Sequence, residues 1–208
     1  MIEILYEDSD IVACVKPVGM SSEGDLPKTL GEQINGEIFT LHRLDTPVGG
    51  VMVYAKNKKS AAVFSKKIAE KNDFTKTYFA VCEGSFNEKK GEMCDLLFKD
   101  SAKNKSYVVK RERKGVKKAE LFYNVIDERE IDGKKCSLVS VTLKTGRSHQ
   151  IRVQFASRKH PLLGDKKYGS VFKSPIALFS QKIETDNKIF EKNPPKDFPW
   201  DVFDIESK

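Results

Sequence analysis

Residues 40–57, "TLHRLDTPVGGVMVYAKN", change character in their middle. The first half is polar, with His42, Arg43 and Asp45 crowded together; the second, Val51 to Ala55, is an apolar run suited to a buried strand. Leu41 and Leu44 would fall on opposite sides of an extended chain, so the polar half is not simply more strand. Thr46, Pro47, Gly49 and Gly50 stand between the two halves. Two readings fit. Asp45 before Thr-Pro begins a plain turn, a place Asp favours, or the carboxylate serves chemistry that a core does not require.

Outward from this stretch, strands dominate. "EILYEDSDIVACVKP" reads as strand, tight turn at Asp8-Ser9-Asp10, and strand, broken by Pro17 and Gly19. Ser60 to Glu70 places Val63, Phe64, Ile68 and Ala69 near one helical face. "KTYFAVCEG" is a strand ending at Gly84. "ELFYNVIDERE" and "CSLVSVTLKTG" are strands turned at Asp132-Gly133. "SHQIRVQFASR" suits a helix entered through Ser148 as N-cap. A Gly- and Pro-containing loop, "KHPLLGDKKYGS", precedes the strand "IALFSQKIE". In the tail "NPPKDFPWDVF", Phe198, Trp200 and Phe203 are expected to pin the chain to its body. Hairpin-connected strands with few, interspersed helices argue an α+β fold around a largely antiparallel sheet. With neither repeat nor linker, residues 1–208 read as one domain.

The four cysteines are widely spaced, fit no C-x-x-C pattern and read as reduced core residues. The three histidines form no H-E-x-x-H, and no phosphate loop of the G-x-x-x-x-G-K-[ST] type is present. No stretch approaches the ~20 apolar residues of a membrane span, and the acidic N-terminus is no signal peptide. These features suit a cytoplasmic protein without a membrane partner. The net charge of +7 fits either a polyanionic partner or a lysine-rich solvated surface. The densest window, Lys99 to Lys118, holds nine cations (Lys99, Lys103, Lys105, Lys110, Arg111, Arg113, Lys114, Lys117, Lys118) against Asp100 and Glu112. Lacking an apolar stripe, it reads as a strand pair with an exposed basic loop.

Three segments carry more polar chemistry than a core requires: "LHRLD", "KTYFAVCEG" and "LKTGRSHQIR". By itself the third suits a helix start with surface arginines as well as a site. Together they resemble the RluA-type pseudouridine synthase family. "HRLDTPVGGVMVYAKN" is similar to its signature, "KTYFAVCEG" to its Lys-x-Tyr-x-Ala segment, and "LKTGRSHQIRVQFASRKHPLLGDKKYGS" to Thr-Gly-Arg-x-His-Gln-Ile-Arg followed by His-Pro-x-x-Gly-Asp-x-x-Tyr-Gly. Val48 and Gly49 stand where Thr-Ser is usual, and Gln154 where His is common.

The resemblance implies the pseudouridine synthase fold with a central catalytic cleft, and isomerisation of specific uridines in ribosomal or transfer RNA. It implies no redox cofactor, metal or nucleotide, and no obligatory protein partner. The target uridine is expected in a structured RNA loop. Asp45 matches the family's catalytic aspartate. Attack on the base, attack on the ribose, and removal of a sugar proton all stand open to it. Arg147 is the expected counter-cation that keeps it ionised, and Tyr78 the expected ring against the target base. Ile151 is expected as the apolar floor and Arg43 as a wedge filling the place of the flipped base. His42 and Arg152 are expected to brace the site. Catalytic-type sequence stands at the start of residues 1–208, so the S4-type RNA-binding domain of many relatives is not expected, and the domain's own surface or a partner is expected to find the target.

A non-catalytic RNA-binding or folding-assistance protein on the same fold would share the basic charge but not need Asp45. A hydrolase pairing Asp45 with His42 or His149 would release free base or phosphate instead of isomerising. The basic window leads to a first prediction. Neutralising Lys103, Lys105 and Lys114 should weaken RNA binding and flatten its salt dependence by up to ~0.7–0.9 log units per lost phosphate contact. Filter-binding titrations across salt concentrations measure this, and an unchanged slope would assign the window to solvated surface.

Overall fold

The computed structural model describes residues 1–70 and 73–205. In chain order the elements are β1 (Glu3–Glu7), β2 (Ile11–Lys16), α1 (Asp25–Ile34), β3 (Phe39–Thr40), β4 (Gly49–Ala55), α2 (Lys58–Glu70), β5 (Thr75–Glu83) and β6 (Lys90–Asp100). There follow β7 (Lys105–Val109), β8 (Val116–Ile131), β9 (Lys134–Leu143), α3 (Gln150–Ser157), β10 (Leu178–Thr185) and β11 (Lys188–Glu191). The architecture is α+β, mixed and mostly antiparallel. Among the described residues no helix is long and apolar enough to cross a membrane. The chain divides into two compact units, Met1–Thr77 with Phe179–Pro194, and Tyr78–Leu178 with Pro195–Lys208.

In the first unit the strand order is β1-β2-β4-β10, with β3 on β4 and β11 on β10. The β1–β2 turn closes because the Asp8 carboxylate accepts from the amides of Asp10 and Ile11, both at 2.8 Å. Strand β4 is buried at every residue. It lies antiparallel to β2, with Ala13 opposite Val53 and Val15 opposite Val51, and parallel to β10. Both of its faces are covered, Val51 and Val53 packing with Phe64 of α2 on one and Tyr54 reaching the Ser22 carbonyl on the other, which is why "VMVYA" does not alternate. Val51 and Val53 pack with Ile11, Ala13, Ile183, Phe190 and Phe64 of α2. Each of these Val, Ile and Phe side chains contributes roughly 1.5–3 kcal/mol by leaving water.

In the second unit the order is β5-β9-β8-β6-β7. Strands β8 and β9 form the expected hairpin, with Asp132 (φ 49°) and Gly133 (φ 71°) in the left-handed turn conformation. Helix α3 packs Val153 onto Leu97 of β6 and Ala119 of β8.

The structure departs from the sequence reading at several points. Helix α1 was not anticipated, and Pro27 and Gly31 lie inside it. Pro27 falls in the first turn, where a missing N–H breaks no helical bond, and Gly31 faces the Gly36 carbonyl, which a Cβ would approach to 2.9 Å. The residue preceding α3 is His149, in the left-handed conformation and without a side-chain cap bond, rather than Ser148. On α2, Phe64 and Ser60 are buried while Val63 is exposed. Cys14, Cys82 and Cys136 are buried and free, but Cys94 is exposed, on the alternate face of β6 from Met93. In the tail Trp200 and Phe203 are buried and Phe198 is exposed.

Gly50 couples β4 to its parallel neighbour. Its φ is +119°, and a Cβ there would lie 2.3 Å from the Ser180 carbonyl oxygen. Gly50→Ala should therefore lower stability by about 4 kcal/mol or more. Gly133→Ala, which meets nothing within 4 Å, should lose only about 1–2 kcal/mol from its left-handed backbone. Urea unfolding of the two variants measures the contrast.

Candidate active site

His42, Arg43 and Asp45 lie on the loop between β3 and β4, and neighbouring elements tie this loop at alternate residues, by the side chain of His42 and the backbone of Leu44 and Thr46. The His42 ring accepts at Nε2 from the Val53 amide of β4 at 3.2 Å. At Leu44, the Ser22 hydroxyl donates to the carbonyl at 3.0 Å and accepts from the amide at 3.3 Å. Thr46 offers its carbonyl to the Gly19 amide at 2.8 Å and to the Lys16 ammonium at 3.2 Å. The Val48 amide then closes a turn onto the Asp45 carbonyl at 2.9 Å. His42 and Leu44 are buried, Asp45 is half-buried, and Arg43 is exposed and paired with Glu23 at 3.0 Å. A rigid main chain thus presents Asp45 with its side chain partly open.

Lys16 was not singled out in the sequence. Its side chain is 1% exposed, and its ammonium also donates to the carbonyls of Pro17 at 2.9 Å and Met20 at 2.7 Å. Three carbonyls saturate the three donors of an ammonium. Burial pushes its pKa down to about 8, and the Asp45 carboxylate acts against that shift. A positive charge therefore acts on Asp45 from within its own unit. The pattern that foretells Lys16 is a lysine closing the apolar run "IVACVK" directly before a Pro-x-Gly turn. His42 has its pKa held well below the usual value, by burial and then by Lys76. It is neutral near pH 7, and because Nε2 accepts a hydrogen bond the ring proton sits on Nδ1.

The second unit holds Tyr78, buried on β5, and a segment carrying Arg147, Ile151 and Arg152. Gln150 organises that segment. Its Oε1 accepts from the Thr145 hydroxyl at 2.8 Å and the Arg147 amide at 3.0 Å, and its Nε2 donates to the Glu120 carbonyl at 3.0 Å. Arg147 is half-buried, and its Nε donates to the Lys118 carbonyl at 3.0 Å. Ile151 is buried in the first turn of α3. Arg152 is not a surface arginine: it is buried and forms a two-pronged pair with Asp165 at 2.7 and 2.8 Å. The Tyr168 ring lies against that guanidinium, 5.2 Å from its carbon to the ring centroid. The Tyr168 hydroxyl accepts from the Ser106 amide and meets His149 Nδ1 at 2.9 Å. The run "GDKKYG" thus braces the start of α3, which its separation in sequence concealed.

The departures from the family pattern are internal. Val48 and Gly49 are buried. A Cβ at Gly49 would stand 3.1 Å from Val18 Cγ2 and 3.3 Å from the Lys16 carbonyl, so glycine suits the local packing. Gln154 is fully buried and donates to Asp95 at 2.7 Å.

An α+β fold of this kind is that of pseudouridylate synthases. The human RNA pseudouridylate synthase domain containing 1 structure superposes with a TM-score of 0.80 over 96% of this chain and 85% of its own, at 23% identity. The family model described as RNA pseudouridylate synthase matches residues 10–157. A Bacillus subtilis protein described as the uncharacterised RNA pseudouridine synthase YhcT is 32% identical, over 97% of this chain and 70% of its own. Transfer RNA pseudouridine synthase C of Haemophilus ducreyi is 33% identical, over 82% and 75%. Ribosomal large subunit pseudouridine synthase D of Borreliella burgdorferi is 30% identical, over 89% and 61%. The chain belongs to the RNA pseudouridylate synthase family and is an RNA pseudouridine synthase.

The Lys16 environment yields a pH-dependent prediction. Its folded pKa, about 8, lies below the ordinary 10.5, so between those values the unfolded chain holds more protons. This group therefore makes stability rise with pH across that window. Lys16→Met removes the titration. The stability of the wild type relative to Lys16→Met should improve from about pH 7 to about pH 10. Urea midpoints at both pH values measure the difference, and a constant gap would contradict the assignment.

Proposed function

We propose that this protein converts specific uridines of ribosomal or transfer RNA to pseudouridine, with Asp45 as the reacting carboxylate. The bond between ribose C1′ and base N1 breaks, and a bond from C1′ to C5 forms. The proton at C5 is lost and one is gained at N1, so the reaction balances without redox chemistry. The single observation that carries this reading is the loop of Asp45, where buried Ser22 and Lys16 lock the residues on either side of it. Such preorganisation keeps a short carboxylate in one place while a flipped nucleotide is brought to it.

In this reading Arg147 supplies a planar cation near the reacting carboxylate, Tyr78 a ring for the base, and Ile151 an apolar floor. Arg43, exposed and held by a surface ion pair that contributes little, is free to swing into the RNA stack. His42 and Arg152 brace the two segments. Both units of residues 1–208 serve one catalytic domain, acting in the cytoplasm. The names of two relatives, one a transfer RNA and one a ribosomal large subunit pseudouridine synthase, support the substrate class.

The test is Asp45→Asn, which keeps size and hydrogen bonding but supplies neither nucleophile nor base. It should unfold cooperatively, bind RNA purified from cells lacking this gene, and form no pseudouridine in it. Mass spectrometry of nucleosides and a thermal melt, run side by side, read the outcome. A folded Asp45→Asn protein that still makes pseudouridine would sink the mechanism.

A further inference from the structure

Strands β7, β6 and β8 have two unlike faces. One faces α3: Leu97 and Ala119 pack with Val153. Side chains alternate along a strand, so Phe98, Val116 and Tyr107 belong to the other face, with Phe98 opposite both Val116 and Tyr107 in register. Phe98 and Tyr107 are half-buried there, and Lys118, Phe122 and Cys94 are exposed. Cations lie on these rings. The Arg113 guanidinium stands 4.6 Å from the Phe98 centroid, and Lys105 Nζ lies 5.7 Å from that of Tyr107. Arg113 is set by a turn, its carbonyl accepting from the Val116 amide at 3.0 Å. Lys99, Lys103, Lys110, Arg111 and Lys114 surround this end of the sheet and are exposed.

Charge alone would make this a phosphate-binding surface. The rings add a second capability. Single-stranded RNA is bound by stacking its bases on aromatic rings or on guanidinium planes, with cations on the backbone. A guanidinium laid on Phe98 offers its outer face to a base, and Tyr107 offers a second platform one strand away. Negative charge on this face is confined mainly to the far end, where Glu120 pairs with Lys118 and Glu92 with Lys144, both at 2.9 Å. Within the segment Lys99 to Lys118 the acids opposing the nine cations are Asp100 and Glu112. Within this unit β8 also meets Arg147, whose Nε donates to the Lys118 carbonyl at 3.0 Å.

We propose that the outer face of β7-β6-β8 binds single-stranded RNA flanking the target uridine, stacking one base on Arg113 backed by Phe98 and another on Tyr107. This rests on the proposed RNA substrate and names how the strand beside the target is held. It differs from a phosphate-only surface in a measurable way: replacing a planar cation by a non-planar one matters although the charge is unchanged.

The probes are a short fluorescent oligouridylate and a duplex RNA of equal length. Arg113→Lys and Tyr107→Leu should each weaken oligouridylate binding roughly 5- to 100-fold without changing the salt slope, and leave duplex binding as in the wild type. Tyr107→Phe should bind like the wild type. Thermal melts are compared throughout, and the exposed Arg113→Lys serves as the decisive variant if Tyr107→Leu fails to fold. Arg113→Lys with wild-type affinity for oligouridylate would overturn the proposal, as would equal losses on the strand and the duplex. Pseudouridine formation by the wild type is assayed in parallel on RNA from cells lacking this gene. Its absence would count against the substrate reading whatever the binding data give.

Discussion

The buried ammonium of Lys16 is the constraint from which the arrangement around Asp45 follows. A lysine at the end of a core strand has lost its water, and burial of that charge is unfavourable unless donors find acceptors. Here three backbone carbonyls take them, from Pro17, Met20 and Thr46. Two belong to the turn after β2 and one to the loop before β4, so one side chain knots two irregular segments together. Irregular backbone is ordinarily the most mobile part of a fold. Tied in this way, the segment next to Asp45 is held from the interior outward.

The same device recurs in the second unit with a neutral group. Gln150 uses one side-chain amide to hold Thr145, the Arg147 amide and the Glu120 carbonyl. In both units the residue proposed to act is flanked by one that is buried and spends its polar atoms on backbone. The exposed side of each segment is thereby left to charged groups: Arg43 beside Leu44, Arg147 beside Gln150. Alternation along the first loop does this directly, since His42, Leu44 and Thr46 are the tethered residues and Arg43 and Asp45 lie between them.

Much of the fold was legible because its strands announce themselves locally. The β1–β2 and β8–β9 hairpins follow from Asp-containing turns between β-branched runs, and the all-apolar β4 from being covered on both faces. Helix α1 was not read from the sequence: it contains Pro27 and Gly31, whose acceptability depends on position within the turn and on the Gly36 carbonyl. By residue type Ser148 was the expected N-cap of α3. Backbone geometry chose His149, whose φ of 52° no local rule for histidine foretells.

The order of the three polar motifs, and with it the family and its reaction class, was determined by sequence alone, because residue identity and spacing are properties of the chain. Which side chains act on solvent and which on backbone was decided only by tertiary structure. Lys16, Arg152 and Gln154 are polar in the sequence and would be placed on the surface by composition, yet all three are buried. Arg152 is paired there by Asp165, the Gln154 amide donates to Asp95, and the Lys16 ammonium meets Thr46 beside its two local carbonyls. Burial of a polar group depends on where its partners end up in space, and a linear pattern carries no record of that.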